Sequence, residues 1–286
     1  MKFSDRIGVT KPKTFVQLNG MDESLKNCLW NVFLKHISYS IEELYEEIIG
    51  DFFKRPVKNS EWDDFALFNR NKYCLEEIER LYFALEWFDI YNFIEFIPNT
   101  DYFRNATSYK KNHKKNFIAD CNKYLARELS GYRFINTYLV PITNDAEIKS
   151  VEDTFVLSET HKNLKGIKIH LETALATLAN KKSPNYRNSI KESISAVETA
   201  CRILTGESTL GDALKKLTYK NIYINNEIKS GFVKLYAYTN SKENGIRHAI
   251  VDEVKEPDLE DAKYMLVSCS AFINYVIGKS ALGNQI

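Results

Sequence analysis

Glycine and proline are scarce in this sequence, at 11 and 6 of its 286 residues. Because both residues interrupt regular backbone structure, their scarcity favours helices over turn-rich β structure. The chain is also longer than a typical single domain, which predicts two domains. We therefore expect a mostly α-helical protein of two helical domains, residues 1–150 and 151–286.

Paired cysteines are missing too. The five cysteines are odd in number, far apart and never spaced as C-x-x-C, which argues against a disulfide framework or a structural zinc site. Such usage is typical of reduced thiols in the cytosol. The cysteines are Cys28, Cys74, Cys121, Cys201 and Cys269.

Long apolar runs are absent as well. The start of the chain, MKFSDRIGVTKPK, lacks the apolar core of a signal peptide, and no later run is long enough to span a bilayer. We expect a soluble, cytoplasmic protein with no membrane partner. The net charge of only +1 excludes a basic surface over the whole chain, so any contact with RNA or DNA requires a local patch.

Motifs for cofactors and metals are also lacking. The sequence has no phosphate-binding G-x-x-x-x-G-K-[ST], no dinucleotide-binding G-x-G-x-x-G and no H-E-x-x-H. His36, His161 and His170 lie in helical segments without a carboxylate or cysteine at ligand spacing. We therefore expect neither a metal nor a cofactor.

What the first half of the sequence does contain is sustained helical periodicity. Asp22 is a predicted N-cap, and residues 71–97 have the pattern of one long aromatic-rich helix. Residues 101–131 form the next predicted helix, capped by Gly131. The segment GYRFINTYLVPIT then alternates apolar residues around Asn-Thr, which predicts a small β-hairpin near 132–142.

The second half is predicted to be nearly all helix. Asn144 is a predicted N-cap, residues 151–180 read as one long helical segment, and a later helix ends at Gly206. Asp258 and Asp261 mark the start of the closing helix. This helix carries an apolar stripe, which is usually intramolecular core. The stripe consists of Met265, Leu266, Cys269, Phe272, Ile273 and Val276.

Three charged features are candidates for function. The lysine-rich runs YKKNHKK (109–115) and LKKLTYK (214–220) are predicted to be solvated helix faces, although the first also allows a weak phosphate contact. Glu198 and Arg202 are one helical turn apart, usually a modest surface pair. If their helix faces the loop 240–248, the same pair would orient catalytic groups.

The loop NSKENGIRHAI (240–250) places an arginine beside a histidine, Arg247 and His248. Imidazole exchanges protons near neutral pH, and guanidinium is a permanent cation whose fork matches phosphate oxygens. Together they supply acid–base catalysis and charge stabilisation, enough for phosphodiester chemistry without a metal. The alternative is an ordinary solvated pair, since adjacent arginine and histidine residues are common on surfaces.

The order of segments resembles a known arrangement in bacterial phage-defence proteins. Residues 1 to about 150, with FSDRIGVTKP, LWNVF and GYRFINTYLVPIT, are similar to the N-terminal domain of AbiJ-type abortive-infection proteins. Residues 155–286 resemble a HEPN-type C-terminal helical domain. The motifs that carry this second likeness are SIKESISAVETACRILTG, TLGDALKKL, YTNSKENGIRHAI and DAKYMLVSCSAFINYVIGK.

The HEPN resemblance implies a metal-independent ribonuclease that acts through attack of a ribose 2′-hydroxyl on the neighbouring phosphate. It assigns proton transfer to His248 and charge stabilisation to Arg247. The residues expected to assist these two side chains are Lys242, Asn240, Glu198 and Arg202. It also implies a homodimer that acts on RNA, while the first domain senses a phage trigger or a partner such as an antitoxin.

The sequence departs from the HEPN pattern at one point. In that family an arginine precedes the catalytic histidine with four to six residues between them, where this chain has Ser241, Lys242 and Glu243. Lys242 is a hydrated point charge and so a poorer phosphate clamp than arginine. A non-catalytic module that binds RNA, a nucleotide or a partner protein is therefore the alternative function.

Overall fold

A computed structural model describes residues 3, 16–37, 41–57, 70–104, 108–160, 162–180, 185–217, 220, 222–240, 246 and 256–280. The chain divides into two compact units, Met1–Pro141 and Ile142–Ile286. The fold is mostly α-helical, as predicted. The predicted boundary near residue 150 falls within a helix of the second unit.

The first unit is a helical domain whose first helix begins where its cap predicts. The Asp22 carboxylate accepts a hydrogen bond from the Leu25 N–H at 2.9 Å, which confirms the predicted N-cap. A π-helical segment, Glu47–Phe52, continues the second helix. The helices are α1 (Glu23–Ile37), α2 (Ile41–Glu46), α3 (Arg70–Phe83), α4 (Trp87–Phe96), α5 (Asp101–Arg104) and α6 (Ser108–Arg127).

A two-stranded hairpin follows α6 and confirms the predicted one. Strands β1 (Arg133–Ile135) and β2 (Tyr138–Val140) pair antiparallel, with Phe134 opposite Leu139. Asn136 in the turn has a positive φ of 55°, a conformation that asparagine tolerates better than most residues.

Residues 71–97 form two helices, so the prediction of one long helix is wrong. The chain leaves helical geometry between Phe83 and Trp87, and the Lys26 ammonium donates to the carbonyls of Phe83 and Leu85 at 2.8 and 3.3 Å. Carbonyls at the end of a helix lack intrahelical donors, so this side chain stabilises the break. Glu86, with ψ of 157°, then begins the next helix.

The prediction of a single helix over 101–131 with a cap at Gly131 is also wrong. Helices α5 and α6 cover this region, and α6 ends at Arg127. Leu129 is the residue with left-handed backbone, at a φ of 56°. Gly131 instead donates its N–H to the Gln17 carbonyl at 2.9 Å, where a Cβ would meet the Leu18 side chain. Gly131 therefore permits close approach of two chain segments.

The second unit is a bundle arranged around one central helix, α9, which packs against four neighbours, α8, α10, α11 and α12. Gly166 on α8 lies where a Cβ would be 3.0 Å from the Thr199 side chain, so glycine lets α8 and α9 approach closely. The helices are α7 (Asp145–Thr160), α8 (Lys165–Ala179), α9 (Tyr186–Thr205), α10 (Leu210–Leu217), α11 (Asn226–Asn240) and α12 (Leu259–Gly278).

The predicted continuous helix over 151–180 is wrong as well. A 3-10 turn, Lys162–Leu164, separates α7 from α8, and Leu164 within it is fully buried. The hydroxyl of Thr160 donates to the Leu157 carbonyl at 2.7 Å, satisfying one carbonyl at the end of α7. Burial of Leu164 and this local cap favour the break over a continuous helix.

The predicted helix caps elsewhere in the second unit are confirmed. Asn144 accepts hydrogen bonds from two N–H groups at the start of α7, and Gly206 ends α9 with a φ of 78°. Asp258 and Asp261 form a complete capping box at the start of α12. The apolar stripe of α12 packs against α7 and α9, so it is intramolecular core.

Candidate functional site

The loop predicted to carry catalysis connects the end of α11 to the start of α12. Burial, with the negative charges of Asp261 and Asp258, raises the pKa of the Tyr238 hydroxyl. Tyr238 lies in the last turn of α11 and the two aspartates open α12. Tyr238 therefore lies within electrostatic range of the two aspartates.

Between residues 241 and 255 the structure describes Ile246 alone, and this residue is buried. Ile246 is only 5% exposed. It immediately precedes Arg247 and His248, which lie outside the described residues, as does Lys242. Burial of Ile246 differs from the exposed position that the mostly polar composition of 240–248 suggests.

The supporting residues lie on the helices around this loop. Asn240 is the half-buried last residue of α11. Glu198 and Arg202 lie on α9, which packs against both α11 and α12. The exposed Arg202 guanidinium donates to the Ser208 carbonyl at 3.4 Å. Burial, helped by the charge of half-buried Glu198, raises the pKa of the Cys201 thiol to about 12.

An apolar groove of 260 Å³ lies between α11 and α12. The rings of Phe232 and Phe272 stack at its base with centroids 3.8 Å apart and planes inclined by 14°. Ile228, at its rim, is 46% exposed. The groove is lined by Ile228, Phe232, Leu235, Ser268, Ala271, Phe272 and Tyr275.

The first unit contains a charged cluster that sequence analysis missed. The Asp120 carboxylate on α6 accepts hydrogen bonds from Lys35 Nζ at 2.6 Å and His36 Nε2 at 2.8 Å, both at the end of α1. Burial alone would raise the pKa of Asp120, but these two hydrogen bonds lower it below its ordinary value. The His113 ring lies 6.5 Å from that of His36 and perpendicular to it.

A second histidine–carboxylate pair lies in the second unit. His170 Nδ1 on α8 is 2.7 Å from Glu192 Oε2 on α9, and the Glu192 side chain is only 15% exposed. Sequence analysis found no carboxylate partner for His36 or His170 because each partner is on a different helix. No local signal in the sequence indicates either pair.

A metal site requires clustered ligands. A segment that spans a bilayer as a helix must be long and apolar. Within the described ranges, no group of three or more histidine, cysteine, aspartate or glutamate side chains is arranged to hold a metal ion. None of the helices described is both long and apolar enough to cross a bilayer.

Comparison with known proteins gives one family. The family model described as AbiJ N-terminal domain 4 matches residues 1–157. The match covers the first unit and extends into α7. No curated protein and no solved structure matches the chain.

Proposed function

Since the chain belongs to the AbiJ N-terminal domain 4 family, we propose that it is an abortive-infection effector whose second unit is a HEPN-like ribonuclease. The first unit senses a phage trigger or binds a partner such as an antitoxin. The five cysteines are free, in keeping with a cytoplasmic protein that acts on RNA.

The proposed reaction is metal-independent cleavage of RNA. The ribose 2′-hydroxyl attacks the adjacent phosphorus while the bond from phosphorus to the 5′-oxygen breaks. His248 moves the proton from the attacking hydroxyl, because imidazole titrates near neutral pH. Arg247, assisted by Lys242, stabilises the negative charge that develops on the phosphate oxygens.

The observation that carries this proposal is the burial of Ile246. A catalytic histidine must be held in place, since rate depends steeply on the position of the reacting groups. A buried residue two positions before His248 is proposed to supply such support. Glu198 and Arg202 on α9, and Asn240 at the end of α11, are the proposed supporting groups.

The active form is proposed to be a homodimer that joins two such loops in one cleft. The groove between α11 and α12 is the proposed contact, because it is apolar and open to solvent. Exposed apolar surface of this kind marks interaction sites in soluble proteins. Ile228 and Ala271 lie at its exposed rim.

The test is incubation of purified protein with total RNA in the presence of a chelator. Cleavage that survives the chelator and disappears in His248→Ala supports the ribonuclease. RNA binding without cleavage supports the non-catalytic module instead, whose basis is the presence of Ser241, Lys242 and Glu243 where HEPN ribonucleases have arginine.

A further inference from the structure

Three large apolar side chains of the first unit are exposed near the start of α1 and the start of α4. Val16, Leu18 and Phe88 are 54%, 50% and 48% exposed. Val16 and Leu18 lie in the segment before α1, and Phe88 is the second residue of α4. Clustered exposure of this kind marks interaction sites, whereas single exposed apolar residues do not. The question is therefore whether the three side chains share one surface.

A chain of contacts joins Leu18 to Phe88. The Tyr132 hydroxyl donates to the Leu18 carbonyl at 2.8 Å, and its ring packs edge-on against Tyr91 with centroids 5.0 Å apart. Tyr91 in turn contacts Trp87 at 6.2 Å, and Trp87 contacts Phe88 at 5.7 Å. The segment before α1 and the first turn of α4 are therefore parts of one surface.

The first turn of α1 borders the same surface. The Asp22 N–H donates to the Gln17 Oε1 atom at 2.7 Å, which ties the segment before α1 to the helix start. The Lys26 ammonium, one turn further along α1, donates to the Leu85 carbonyl at 3.3 Å, between α3 and α4. We call the surface formed by residues 16–23 and 84–92 the acidic–apolar face.

The charge of the acidic–apolar face is negative. The sequences 16–25 and 84–103 contain no lysine, arginine or histidine. Glu86 and Asp89 directly flank the Trp87–Phe88 pair, and Glu23 opens α1. Glu23 and Glu86 are exposed and Asp89 is half-buried. Acidic residues therefore surround the exposed apolar side chains.

Basic groups close to the face are already engaged. The half-buried Lys26 ammonium donates to two carbonyls at the break between α3 and α4. Arg133 is only 7% exposed and donates to the carbonyls of Ser130 and Tyr132. Arg127 at the end of α6 forms an ion pair with Glu128 at 2.8 Å. These cations leave the charge of Glu23, Glu86 and Asp89 directed to solvent or to a partner.

The sign of this charge selects the class of partner. A nucleic-acid backbone and an anionic lipid surface both repel carboxylates. A protein segment that combines lysine or arginine with large apolar residues matches the face in both respects, since interfaces pair complementary charges around an apolar centre. Tryptophan and other aromatic residues are also typical centres of protein interfaces.

We propose that the acidic–apolar face of the first unit binds a basic, apolar segment of a protein partner. The proposal rests on the partner-binding role proposed above for the first unit and names the chemistry of that partner. Apolar side chains of the segment cover Val16, Leu18 and Phe88, while its lysine or arginine side chains pair with Glu23, Glu86 and Asp89.

The test selects peptides that bind the full-length protein from a displayed library of random peptides about 12 residues long. Counter-selection removes the peptides that also bind a face variant in which five residues are replaced. This variant carries Val16→Ser, Glu23→Gln, Glu86→Gln, Phe88→Ser and Asp89→Asn. Leu18 is left in place because it packs over Gly131.

Fluorescence anisotropy then measures synthetic copies of the enriched peptides on variants that separate charge from apolar contact. The charge variant carries Glu23→Gln, Glu86→Gln and Asp89→Asn, and its control carries Glu42→Gln, Glu46→Gln and Asp51→Asn. The apolar variant carries Val16→Ser and Phe88→Ser, and its control carries Val156→Ser and Ile169→Ser. Circular dichroism checks that each variant is folded.

We expect the enriched peptides to have a net positive charge and several large apolar residues. The charge variant should bind them about tenfold more weakly at low salt, the combined effect of three surface ion pairs, and the difference should shrink as salt rises. The apolar variant should bind at least about tenfold more weakly at every salt concentration. Both controls should stay within about twofold of the parent.

A single charge reversal provides a second measurement with little risk to the fold. Glu86 is exposed, so Glu86→Lys should preserve the structure and weaken the enriched peptides more than Glu86→Gln does. Equal effects of the two substitutions overturn the electrostatic part of the proposal. Selection of acidic or uncharged peptides, absence of enrichment, or equal weakening by the controls overturns the whole proposal.

Other occupants of the face give their own results. Displacement of the peptides by single-stranded RNA indicates a nucleic-acid surface, and self-association that is lost in the face variant indicates a second copy of this chain. Either result overturns the proposal. Because no measurement here involves cleavage, a protein that selects basic peptides but cleaves no RNA supports the face and contradicts the ribonuclease. The converse result contradicts the face alone.

Discussion

His36 and Asp120 lie 84 residues apart in sequence and 2.8 Å apart in the folded first unit. Their hydrogen bond joins the end of α1 to the middle of α6, and Lys35 binds the same carboxylate oxygen. One carboxylate therefore connects two helices while accepting hydrogen bonds from two basic side chains.

The stability of the first unit should depend on Asp120 at acidic pH. Because its native pKa is lowered, its contribution is complete above the ordinary aspartate pKa of about 4 and is lost as pH falls through the lowered value. Asp120→Asn should cost roughly 1–2 kcal/mol near neutral pH and flatten this acid-limb dependence. Urea unfolding followed by tryptophan fluorescence measures the free energy of unfolding at each pH. The signal reports on the first unit, since Trp30, Trp62 and Trp87 all belong to it.

The control for this experiment is Glu76→Gln. Glu76 forms an exposed ion pair with Lys72 at 3.7 Å, and such pairs contribute little. Its pH profile should follow that of the parent protein. If Asp120→Asn and Glu76→Gln have the same profile, Asp120 does not link the two helices energetically.

Features encoded within about four residues were predictable from the sequence. The caps at Asp22, Asn144 and Asp258 and the Asn-Thr hairpin turn are such features, and all are present. Their physical basis is a side chain bonded to its own neighbouring backbone. Periodicity likewise predicted the helical class, because it reflects burial of one face of each helix.

Features that depend on distant partners were not predictable. The break after Phe83 is stabilised by Lys26, which is 57 residues away, and the His36–Asp120 pair spans 84. Helical periodicity continues through such a break, so the pattern cannot locate it. At the candidate site, the sequence indicated the loop but not the burial of Ile246, because burial of one side chain depends on packing against distant segments of the chain.

Gly131 should resist substitution because of the segment that it faces. A Cβ there meets the Leu18 side chain and lies 3.3 Å from the Gln17 carbonyl. Gly131→Ala should destabilise the first unit by about 1–3 kcal/mol, the usual cost of overpacking. Leu18→Ala in the same protein should restore most of this stability, as measured by thermal unfolding with tryptophan fluorescence. Additive effects of the two substitutions are inconsistent with this explanation.

If the groove between α11 and α12 is the dimer contact, negative charges placed in it should dissociate the dimer. Ile228→Glu together with Ala271→Glu should convert a dimer into a monomer at micromolar concentration, because like charges would then line an apolar contact. Both positions are exposed, so the monomer should remain folded. Light scattering and circular dichroism measure the two properties.

A matched control places the same charges elsewhere on the second unit. Val156 on α7 and Ile169 on α8 are 57% and 53% exposed and do not line the groove. Val156→Glu with Ile169→Glu should leave the dimer intact. A parent protein that is monomeric, or a dimer broken only by the control pair, shows that the groove is not the dimer contact.

Two neighbouring substitutions, His248→Ala and Ile246→Ala, should separate an effect on catalysis from an effect on folding. His248→Ala should lower the cleavage rate by roughly a hundred- to ten-thousand-fold, the usual value of a catalytic proton carrier. It should change the free energy of unfolding by less than about 0.5 kcal/mol, since the loop 240–248 is mostly polar and includes a glycine. Arg247→Ala should also slow cleavage, and Lys242→Ala less.

Ile246→Ala should have the opposite pattern and lower stability more than catalysis, because it removes a buried side chain two residues before the histidine. Truncation of a buried isoleucine typically costs about 2–5 kcal/mol, so this variant should melt earlier in circular dichroism. Its cleavage rate should fall only as far as the loosened loop misplaces His248, and lower temperature should restore part of it. His248→Ala should gain nothing from cooling. A well-folded His248→Ala protein that cleaves RNA at the parent rate removes this loop from the mechanism and leaves the non-catalytic module as the function of the second unit.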